Sequence, residues 1–533
     1  MIPVVRSEMI RRLPAAGSRL TRLELLHQEA AGGGELVVWF RKRSRKRMIW
    51  VIFLVLAVAL APHAAHRISL LIRLRRLRSE PGPRPDKEDW PKVTVQLPLY
   101  NERFVVERLL RSVAALDYPR DRFEIQVLDD STDSTSEEVE RLAEELRRSG
   151  VPIEHLRRPT RAGFKAGALQ YGLERARGEF VAILDADFVP PADFLRRAVS
   201  YFSDPRVGMV QARWGFLNRE ENLLTRCEAL FLDGHFLLEQ EVRSKTGLFF
   251  NFNGTAGLWR KACIEDAGGW DGQTLTEDLD LSYRAQFRGW RFVYAPEIVV
   301  PSELPAPITA FRTQQHRWAK GAIQTARRHL PALFLGAFPW RHKVEGGFHL
   351  LAHTIHPLVA ALALLNLAIL LAPWPPSSLQ PMISCLFTGL SVSFLFYLLA
   401  IQRLDKGRLD RDDWLLLPVS LALSLGMSFA NTRSVIEGAL NLPSGFVRTP
   451  KRGDAVLRPL GLLYLARHGW GLPLLESSVA AAFLWALVVA IRHGWWFALP
   501  GCLLHLFGFG FVGVGTLTAI VKERRQNAAV AIA

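Results

Sequence analysis

The sequence predicts an α/β domain with a mostly parallel sheet, set between helices that cross a membrane. The first observation is that short apolar runs alternate with helical patterns from residue 93 onward, as in βα units. The second is that apolar segments long enough to cross a bilayer stand on both sides of that region, at 48–72 and beyond residue 335. A length of 533 residues accommodates both parts in one chain.

The charge of the chain points to a membrane surface. Lys and Arg number 67 against 51 Asp and Glu, which gives a formal net charge of +16. Much of the excess lies beside apolar runs, at 41–47 and 73–78, where cationic side chains meet lipid headgroups. This placement favours membrane lipids as partners and argues against nucleic acid. The four cysteines are scattered, so we predict neither a disulfide framework nor a zinc site.

Strands and helices alternate in the predicted soluble region. The predicted strands are 93–97, 123–128, 180–184 and 207–211. The predicted helices are 102–116, 134–148, 165–176 and 191–203. Because ligands of parallel sheets bind beyond the carboxyl ends of the strands, the polar residues after these strands are the first candidates for a site.

Five apolar segments follow the soluble region, at 347–372, 382–401, 414–430, 477–491 and 495–521. The charged loop 402–413 and the basic residues after 521 predict that both face the cytoplasm, together with the soluble domain. If 414–430 crossed the membrane, the basic C-terminus would lie outside. We therefore expect 414–440 to lie in the interface or to re-enter. Charge does not decide the side of the N-terminal tail.

Two motifs after the first strands suit a nucleotide. Pro98, Tyr100 and Glu102 belong to a Pro-bounded turn with an aromatic ring, which could hold a nucleobase. Asp129 and Asp130 follow the second strand and could accept hydrogen bonds from a base edge or a ribose. Each motif could equally be a strand-to-helix turn with a helix cap.

Two further motifs suit a diphosphate and a cation. Lys165 lies in a Gly-rich turn that opens a helix, where the helix N-terminus and the ammonium would attract phosphate. Asp185 and Asp187 end a buried strand, and two such carboxylates suit Mg²⁺ or Mn²⁺ bridging a diphosphate. The structural alternative is that one of the pair caps the helix near Pro190.

The acceptor side is predicted from motifs later in the domain. Asp278, in Thr276-Glu277-Asp278, could deprotonate an acceptor hydroxyl. The acceptor path could be lined by Asn253, Gly254 and Thr255. Capping is the alternative for both motifs.

Residues 314–318, at the boundary between the soluble region and the apolar segments, offer a flat ring and hydrogen-bond donors. Gln314, Arg317 and Trp318 supply an amide, a guanidinium and an indole, which suit phosphate oxygens and a stacked sugar. An amphipathic helix on a membrane surface would carry the same residue types. Farther on, a polar loop with Phe446, Thr449 and Lys451 could swing onto a diphosphate or hold lipid headgroups.

The ordered set of these motifs resembles a known family. Asp129-Asp130, Asp185-Ala186-Asp187, Thr276-Glu277-Asp278 and Gln314-x-x-Arg317-Trp318 are similar to the D, DxD, TED and QxxRW series of processive family 2 glycosyltransferases. The segments DDSTD, AGFKAGAL, VQARW, FNGTAG and QQHRW look closest to those of cellulose-synthase-like mannan and glucan synthases. The match is dense over 93–330, and the loop with Thr449 and Lys451 is similar to the gating loop of cellulose synthases.

The resemblance implies an α/β GT-A (Rossmann-like) catalytic domain that faces the cytoplasm and is inserted into a helical transmembrane bundle. It implies a multi-pass protein of the cell membrane that transfers hexose from UDP-glucose or GDP-mannose, with inversion, to a growing β-glycan that it translocates. A non-processive enzyme that adds one sugar to a lipid acceptor is the alternative. The implied domain bounds are 1–47 tail, 48–78 first span, 79–305 catalytic domain, 306–343 interfacial helices, 344–402 two spans, 403–475 re-entrant segment and gating-like loop, and 476–533 hairpin and tail.

The resemblance also assigns roles to the residues. Glu277 and Asp278 are the implied catalytic carboxylates, with Asp278 as the general base. The other implied roles are nucleotide binding for Pro98, Tyr100, Glu102, Asp129 or Asp130, Lys165 and Asp185; cation binding for Asp185 and Asp187; diphosphate and acceptor binding for Gln314, Arg317, Trp318, Asn253, Gly254 and Thr255; and closure by Phe446, Thr449 and Lys451. A glycan channel could be lined by Trp340, His349, His353, His356 and Asn366, but for any one of them we favour the alternative of an interface anchor or a satisfied core histidine.

Overall fold

The computed structural model describes residues 22–77, 82–83, 89–371, 394–443 and 469–532. The chain divides into two compact units, Met1–Val55 and Leu56–Ala533. The backbone of the first unit is helical from residue 22, within helix α1 (Arg22–Arg76). The second unit holds the α/β domain and the helices that follow it.

Seven strands form one sheet in the α/β domain. The strands are β1 (Val93–Leu99), β2 (Phe123–Asp129), β3 (Ile153–Arg157), β4 (Phe180–Ile183), β5 (Val207–Phe216), β6 (Gly257–Arg260) and β7 (Arg291–Ser302). The helices of the domain are α2 (Val106–Ala114), α3 (Thr135–Arg148), α4 (Phe164–Leu173), α5 (Phe194–Val199), α6 (Leu223–Asp233), α7 (Glu241–Lys245), α8 (Lys261–Asp266) and α9 (Glu277–Phe287). A 3₁₀ turn (Ser200–Ser203) follows α5, and a π-helix (Gly234–Gln240) joins α6 to α7.

The sheet is mixed, in the order β3-β2-β1-β4-β6-β5-β7. β6 runs antiparallel to both of its neighbours, whereas the other four pairings are parallel. All four predicted strands are present, but β3, β6 and β7 are not among the predictions. β6 has only four residues, and β7 carries Pro296 and Pro301. Both features weaken the alternating pattern that marks a strand in sequence.

The strand register brings the motifs together. β1 lies between β2 and β4 and is parallel to both, with Leu99 opposite Asp129. The carboxyl ends of these three strands therefore meet at one edge of the sheet. Buried apolar clusters cover both faces, one beneath α2, α3 and α5 and one beneath α4 and α8. These clusters hold the edge rigid.

Helices follow the α/β domain. They are α10 (Ile308–Leu335), α11 (Trp340–Leu350), α12 (Ile355–Leu370), a helical stretch at 394–406, α13 (Arg411–Gly426), α14 (Ser428–Ala439), α15 (Gly471–Arg492) and α16 (Leu499–Ile532). Within the described parts of the chain, four segments are long and apolar enough to cross a membrane. These are Val51–Arg76, Ala352–Leu370, Gly471–Arg492 and Trp496–Lys522. They correspond to the predicted segments at 48–72, 347–372, 477–491 and 495–521.

The structure describes only one of the two remaining predicted segments in full. Most of 382–401 lies outside the described residues. The segment at 414–430 falls on α13 and α14, which are bent by 45° at their junction, as in a broken span or a re-entrant loop. The expectation that 414–440 does not cross the membrane stays a prediction.

Glycine contacts bring two of these helices unusually close. A Cβ atom added to Gly426 of α13 would clash with the carbonyl oxygen of Gly508 in α16. A Cβ atom added to Gly508 would in turn clash with the carbonyl oxygen of Ala422. Small residues at such positions let helix backbones meet directly, which is the usual way helices pack within membranes.

Candidate active site

A cavity of about 200 Å³ lies at the carboxyl edge of the sheet. It collects residues from motifs that are far apart in the sequence. The predicted site residues that line it are Pro98, Tyr100, Glu102, Asp130, Lys165, Asp185, Asp187, Asn253, Gly254, Glu277, Asp278, Gln314, Arg317 and Trp318. Two predicted residues, Asp129 and Thr255, do not line it. Phe446, Thr449 and Lys451 lie outside the described residues.

Lys165 and Asp185 form an ion pair in this cleft. The Nζ atom of Lys165 lies 2.5 Å from Oδ1 of Asp185 and 2.9 Å from the carbonyl oxygen of Gly254. Burial lowers the pKa of Lys165, but the negative charges of Asp185 and Glu277 outweigh it and the pKa is raised. The ammonium therefore stays charged and available to a diphosphate. Thr255 supports the pair from beneath, because its hydroxyl accepts the backbone N–H of Asp185 at 2.8 Å.

Asp185 and Asp187 fit the cation predicted for the site. Their carboxylates follow β4 into the cleft, and Oδ2 of Asp187 accepts the backbone N–H of Glu303 at 3.2 Å. Among the described residues, no three His, Cys, Asp or Glu side chains cluster into a complete ligand set. Two carboxylates are nevertheless what Mg²⁺ takes from protein when substrate phosphates and water fill its other positions.

Asp278 has the properties of a general base. It lies in the first turn of α9, and its Oδ1 accepts the backbone N–H of Leu279 at 2.8 Å. Burial, and then the negative charge of Glu277, raises the pKa of Asp278 to about 7. A carboxylate with that pKa is about half ionised at neutral pH, and its ionised form is basic enough to take a proton from a hydroxyl group. Glu277 lies beside it, and burial raises its pKa too.

Gly254 is required next to the base. Its φ of +81° lies in the left-handed region, which L-residues other than Gly rarely adopt. A Cβ atom there would lie 3.0 Å from Oδ2 of Asp278 and 3.6 Å from Nζ of Lys165. The glycine therefore leaves the space in front of both charged groups open.

Helix α10 carries Gln314, Arg317 and Trp318 along one side of the cleft. Gly321 lets α10 approach the start of α9 closely. A Cβ atom at that position would lie only 2.6 Å from Cγ2 of Thr276. Burial lowers the pKa of Arg317, and the surrounding carboxylates, Asp185 foremost, oppose that shift. A guanidinium held in this way is placed to neutralise a diphosphate.

Asp130, and not Asp129, faces the nucleotide side of the cleft. Nε and Nη2 of Arg158 donate to the two carboxylate oxygens of Asp130 at 2.7 and 2.5 Å. Asp129 is buried and accepts hydrogen bonds from the backbone N–H of Ser131 and from the His155 ring. Burial would raise the pKa of Asp129, but these bonds lower it to about 2. Asp129 thus organises the turn and does not line the cleft, whereas Asp130 does. A contact between either aspartate and a base stays a prediction.

The cleft includes residues that the sequence alone does not single out. The guanidinium of Arg161 lies 3.3 Å from the centre of the Tyr100 ring, which stiffens a flat face for a base. Glu303 lines the cleft and pairs with Arg108 at 2.5 Å. Trp214 lines it at the end of β5. Only the tryptophan lies in a recognisable motif, VQARW, and without the fold no signal separates any of the three from ordinary surface or core residues.

A second cavity, of about 490 Å³, continues from the first into the helices. Six residues line both cavities, namely Trp214, Leu232, Asn253, Thr276, Asp278 and Trp318. Of the residues that could line a glycan channel, His349, His353 and His356 line this cavity. Trp340 is 72% exposed, and neither it nor Asn366 lines this cavity. Asp278 thus stands where the two cavities meet.

Comparison with known proteins agrees with this architecture. Residues 91–321 match the family described as "Glycosyltransferase like family 2". The chain is 48% identical over 245 residues to glucomannan 4-beta-mannosyltransferase 2 of Arabidopsis thaliana, covering 45% of this chain and 46% of that protein. It is 40% identical over 330 residues to the probable glucomannan 4-beta-mannosyltransferase 7 of Oryza sativa subsp. japonica, covering 56% of each. The chain therefore matches about half the length of these curated relatives.

Among solved structures, the chain is similar to the mannosyltransferase PcManGT from Pyrobaculum calidifontis, solved in complex with GDP-Man and Mn²⁺. The identity is 23% and the TM-score 0.48, over 73% of this chain and 99% of that one. Residues 91–321 are a glycosyltransferase family 2 domain, and their seven-stranded mixed sheet with helices on both faces is the α/β architecture that the motifs predict. This confirms both the family resemblance and the fold class predicted from the motifs.

Proposed function

We propose that the protein is an inverting hexosyltransferase that extends a β-linked glycan from a nucleotide sugar at the cytoplasmic face of the cell membrane. The observation that carries the proposal is the convergence of Lys165, Asp185, Asp278 and Arg317 on one cleft. These groups supply the charge for a diphosphate leaving group and a base for the attacking hydroxyl. The family of residues 91–321 supports the same chemistry.

The leaving group would be held from two sides. Lys165 projects from α4 and Arg317 from α10, so both cations would meet the diphosphate in the same cleft. Asp185 and Asp187 would hold Mg²⁺ or Mn²⁺, which supplies Lewis-acid stabilisation of the charge on the leaving diphosphate. Tyr100, Glu102 and Asp130 lie where a ribose and base would sit.

Proton removal falls to Asp278. Its carboxylate takes the proton of the acceptor hydroxyl while that oxygen attacks the anomeric carbon from the face opposite the diphosphate. One displacement inverts the anomeric centre, so the domain requires no covalent nucleophile. Gly254 keeps the approach to Asp278 open.

The second cavity would take the growing product. It begins at Asp278 and Trp318 and continues between helices that include the candidate span Ala352–Leu370. Its wall mixes apolar side chains with His353, His356 and Asn431, which suits a polyhydroxylated chain with apolar ring faces. We therefore propose that the glycan leaves the cytoplasm through this cavity.

GDP-mannose is the donor we favour. Curated relatives 40–48% identical over the matched parts are named as glucomannan 4-beta-mannosyltransferases. UDP-glucose is the competing donor, because none of the described cleft residues distinguishes guanine from uracil or mannose from glucose.

The deciding experiment measures nucleotide release and product class in purified membranes. We expect GDP release from GDP-mannose, a high-mass product that an endo-β-mannanase digests, and loss of both in Asp278→Asn. If UDP is released from UDP-glucose and no GDP is released from GDP-mannose, the donor is UDP-glucose. A chloroform-soluble product with a single sugar would show that the acceptor is a lipid and that no polymer is made.

A further inference from the structure

The junction of the two cavities carries two hydrogen-bond donors that have no acceptor among the described residues. One is Nδ2 of Asn253 and the other is the indole Nε1 of Trp214. Both residues line the cleft and the second cavity alike, as the base Asp278 does. A buried donor without an acceptor is destabilising, so such atoms in a cavity wall indicate a ligand that supplies the acceptor.

The orientation of the Asn253 amide is determined by its neighbours. Its Oδ1 accepts from Nδ2 of Asn251 at 3.1 Å, and Nε2 of His235 lies 2.8 Å from the same oxygen. The backbone N–H of Asn253 donates to Gln211 at 2.9 Å. The oxygen is therefore used on the protein side, and the NH₂ group is left for a ligand. His235 lies in the π-helix Gly234–Gln240, a local irregularity that often marks functional positions.

Trp214 is fixed by aromatic packing and not by its polar atom. Its ring lies 5.3 Å from the ring of Phe188 and 5.2 Å from that of Phe236, measured between centroids. The side chain is thus held in place while its single donor stays available.

We propose that Trp214 acts beside Asn253, for which the resemblance already implies acceptor binding, and donates its indole N–H to a hydroxyl oxygen of the acceptor's terminal sugar, so that the pair selects a glycan end as the acceptor. The inference rests on the proposed function. A sugar ring presents several hydroxyl groups around the one that attacks, and these would accept from both donors while Asp278 takes the proton. An alkyl chain at the same place would leave both donors without partners.

The test uses Trp214→Phe, which removes the N–H and keeps an aromatic ring, together with Asn253→Ala. The matched control is Trp259→Phe. Trp259 is also buried, and its Nε1 also has no acceptor among the described residues, but it lines neither cavity. The assay is transfer from GDP-mannose to added β-1,4-linked mannotetraose by the full-length protein in membranes, with KM measured separately for acceptor and donor.

For Trp214→Phe and Asn253→Ala, we expect the acceptor KM to rise roughly three- to ten-fold relative to the donor KM, the factor that one uncharged hydrogen bond supplies. Trp259→Phe should leave the ratio of the two KM values unchanged. Equal effects on both KM values, or an equal effect in the Trp259 control, would overturn the assignment. If the wild type does not extend mannotetraose at all, the proposed function fails instead.

Discussion

At the scale of single residues, the reaction depends on keeping Asp278 basic in a buried place. Its carboxylate lies between Glu277, whose charge raises the pKa of Asp278, and Lys165, whose charge lowers it. The folded protein therefore binds more protons at this position than the unfolded chain does, and its stability falls as pH rises from about 4 to about 7. The base is kept at the expense of stability, as is common for catalytic groups.

Replacing Asp278 with Asn separates these effects. We expect kcat to fall by roughly 10²–10⁴-fold because the general base is removed. The melting temperature at pH 8 should stay the same or rise, because a buried charge is replaced by a neutral amide. Activity measurements and thermal unfolding of the purified variant check both parts. Retained activity would exclude Asp278 as the base.

The same pKa predicts the acid limb of the pH profile. Below pH 7, Asp278 becomes protonated in the free enzyme, so kcat/KM should fall by about tenfold for each further pH unit. Above pH 7, this group should impose no loss. The measurement is initial rate against pH at low donor concentration. A limb near the ordinary pKa of Asp would contradict the assignment.

Gly254 can be tested against a glycine with the same backbone conformation. In Gly254→Ala the new Cβ atom meets Asp278 at 3.0 Å in addition to the strained φ, so we expect at least a tenfold loss of kcat, or about 1.4 kcal/mol of barrier. Gly247 has φ of +66° with nothing within 4 Å of an added Cβ atom, and Gly247→Ala carries the backbone strain alone. Equal loss in both variants would show that strain, and not crowding of the base, matters.

Chelation tests the cation directly. EDTA should abolish GDP release, and added Mg²⁺ or Mn²⁺ should restore it, because the cation that Asp185 and Asp187 would hold neutralises negative charge on the leaving diphosphate. Asp187→Asn should require more metal for half-maximal activity. Activity that persists in EDTA would assign the diphosphate to Lys165 and Arg317 without a cation.

Residue roles were predictable from the sequence where a side chain acts within a motif, and less so where orientation decides. The grouping of Asp185, Asp278 and Arg317 in one cleft follows from motif order. The choice between Asp129 and Asp130 depends on which carboxylate the His155 ring contacts, and that contact comes from a strand absent from the sequence prediction.

At the scale of elements, helix α10 is held from two sides. His316, in the middle of the QQHRW motif, lies 2.8 Å from Oε2 of Glu437, and Lys320 lies 3.5 Å from the same atom. A Cβ atom on Gly438 would lie 2.7 Å from the carbonyl oxygen of Lys320, so α14 and α10 are in close contact. Nearer the N-terminus of α10, Arg312 pairs with Glu476 of α15 at 2.6 Å.

The Glu437 contact should position Arg317 and Trp318. We expect Glu437→Gln and His316→Gln each to raise the donor KM several-fold, and the double variant to be no worse than Glu437→Gln alone, because Glu437→Gln already weakens the His316 contact together with those to Lys320 and Arg433. The measurement is a double-mutant cycle on kcat/KM. Additive effects would show that the two side chains act independently.

Elements with a strong pattern were predicted and irregular ones were not. Strands β1, β2, β4 and β5 read as buried apolar runs, and each is present. β7 was missed because two prolines interrupt it, and its pairing with β5 shifts register between Ala212 and Arg213. β6 reverses direction relative to its neighbours, which no local pattern in four residues encodes.

At the scale of the whole molecule, the proposed function makes the cleft and the second cavity two successive binding sites for one glycan. This arrangement predicts that a block deep among the helices stops elongation without stopping transfer. Ala363 lines the second cavity and is 1% exposed, whereas its neighbour Leu364 is 50% exposed on the outside of α12. The two positions thus form a matched pair on one helix.

We expect Ala363→Trp to shorten the product sharply while transfer of the first sugar to a short acceptor continues, because the block lies beyond the reacting centre. Leu364→Trp should leave product length unchanged. Product size distribution by gel filtration checks both. Full-length product from Ala363→Trp would place the glycan's route elsewhere.

The span pattern illustrates what composition predicts for a membrane protein. Segments with uniform apolar character were located correctly, because length and hydropathy suffice for them. The bend between α13 and α14 was anticipated only through a count of crossings. Which side chains line the second cavity was not predictable, because helix rotation depends on packing between neighbours.

The backbone contact between α13 and α16 has a consequence for what the protein can export. Leu421 and Ser424 on α13 and His505 on α16 belong to the wall of the second cavity, next to the glycines at 426 and 508. Where main chains touch, no rotamer change can widen the gap. The calibre of the proposed conduit is therefore set by peptide spacing, so a slender unbranched polymer would thread it, whereas one with bulky side sugars would have to acquire them after emerging.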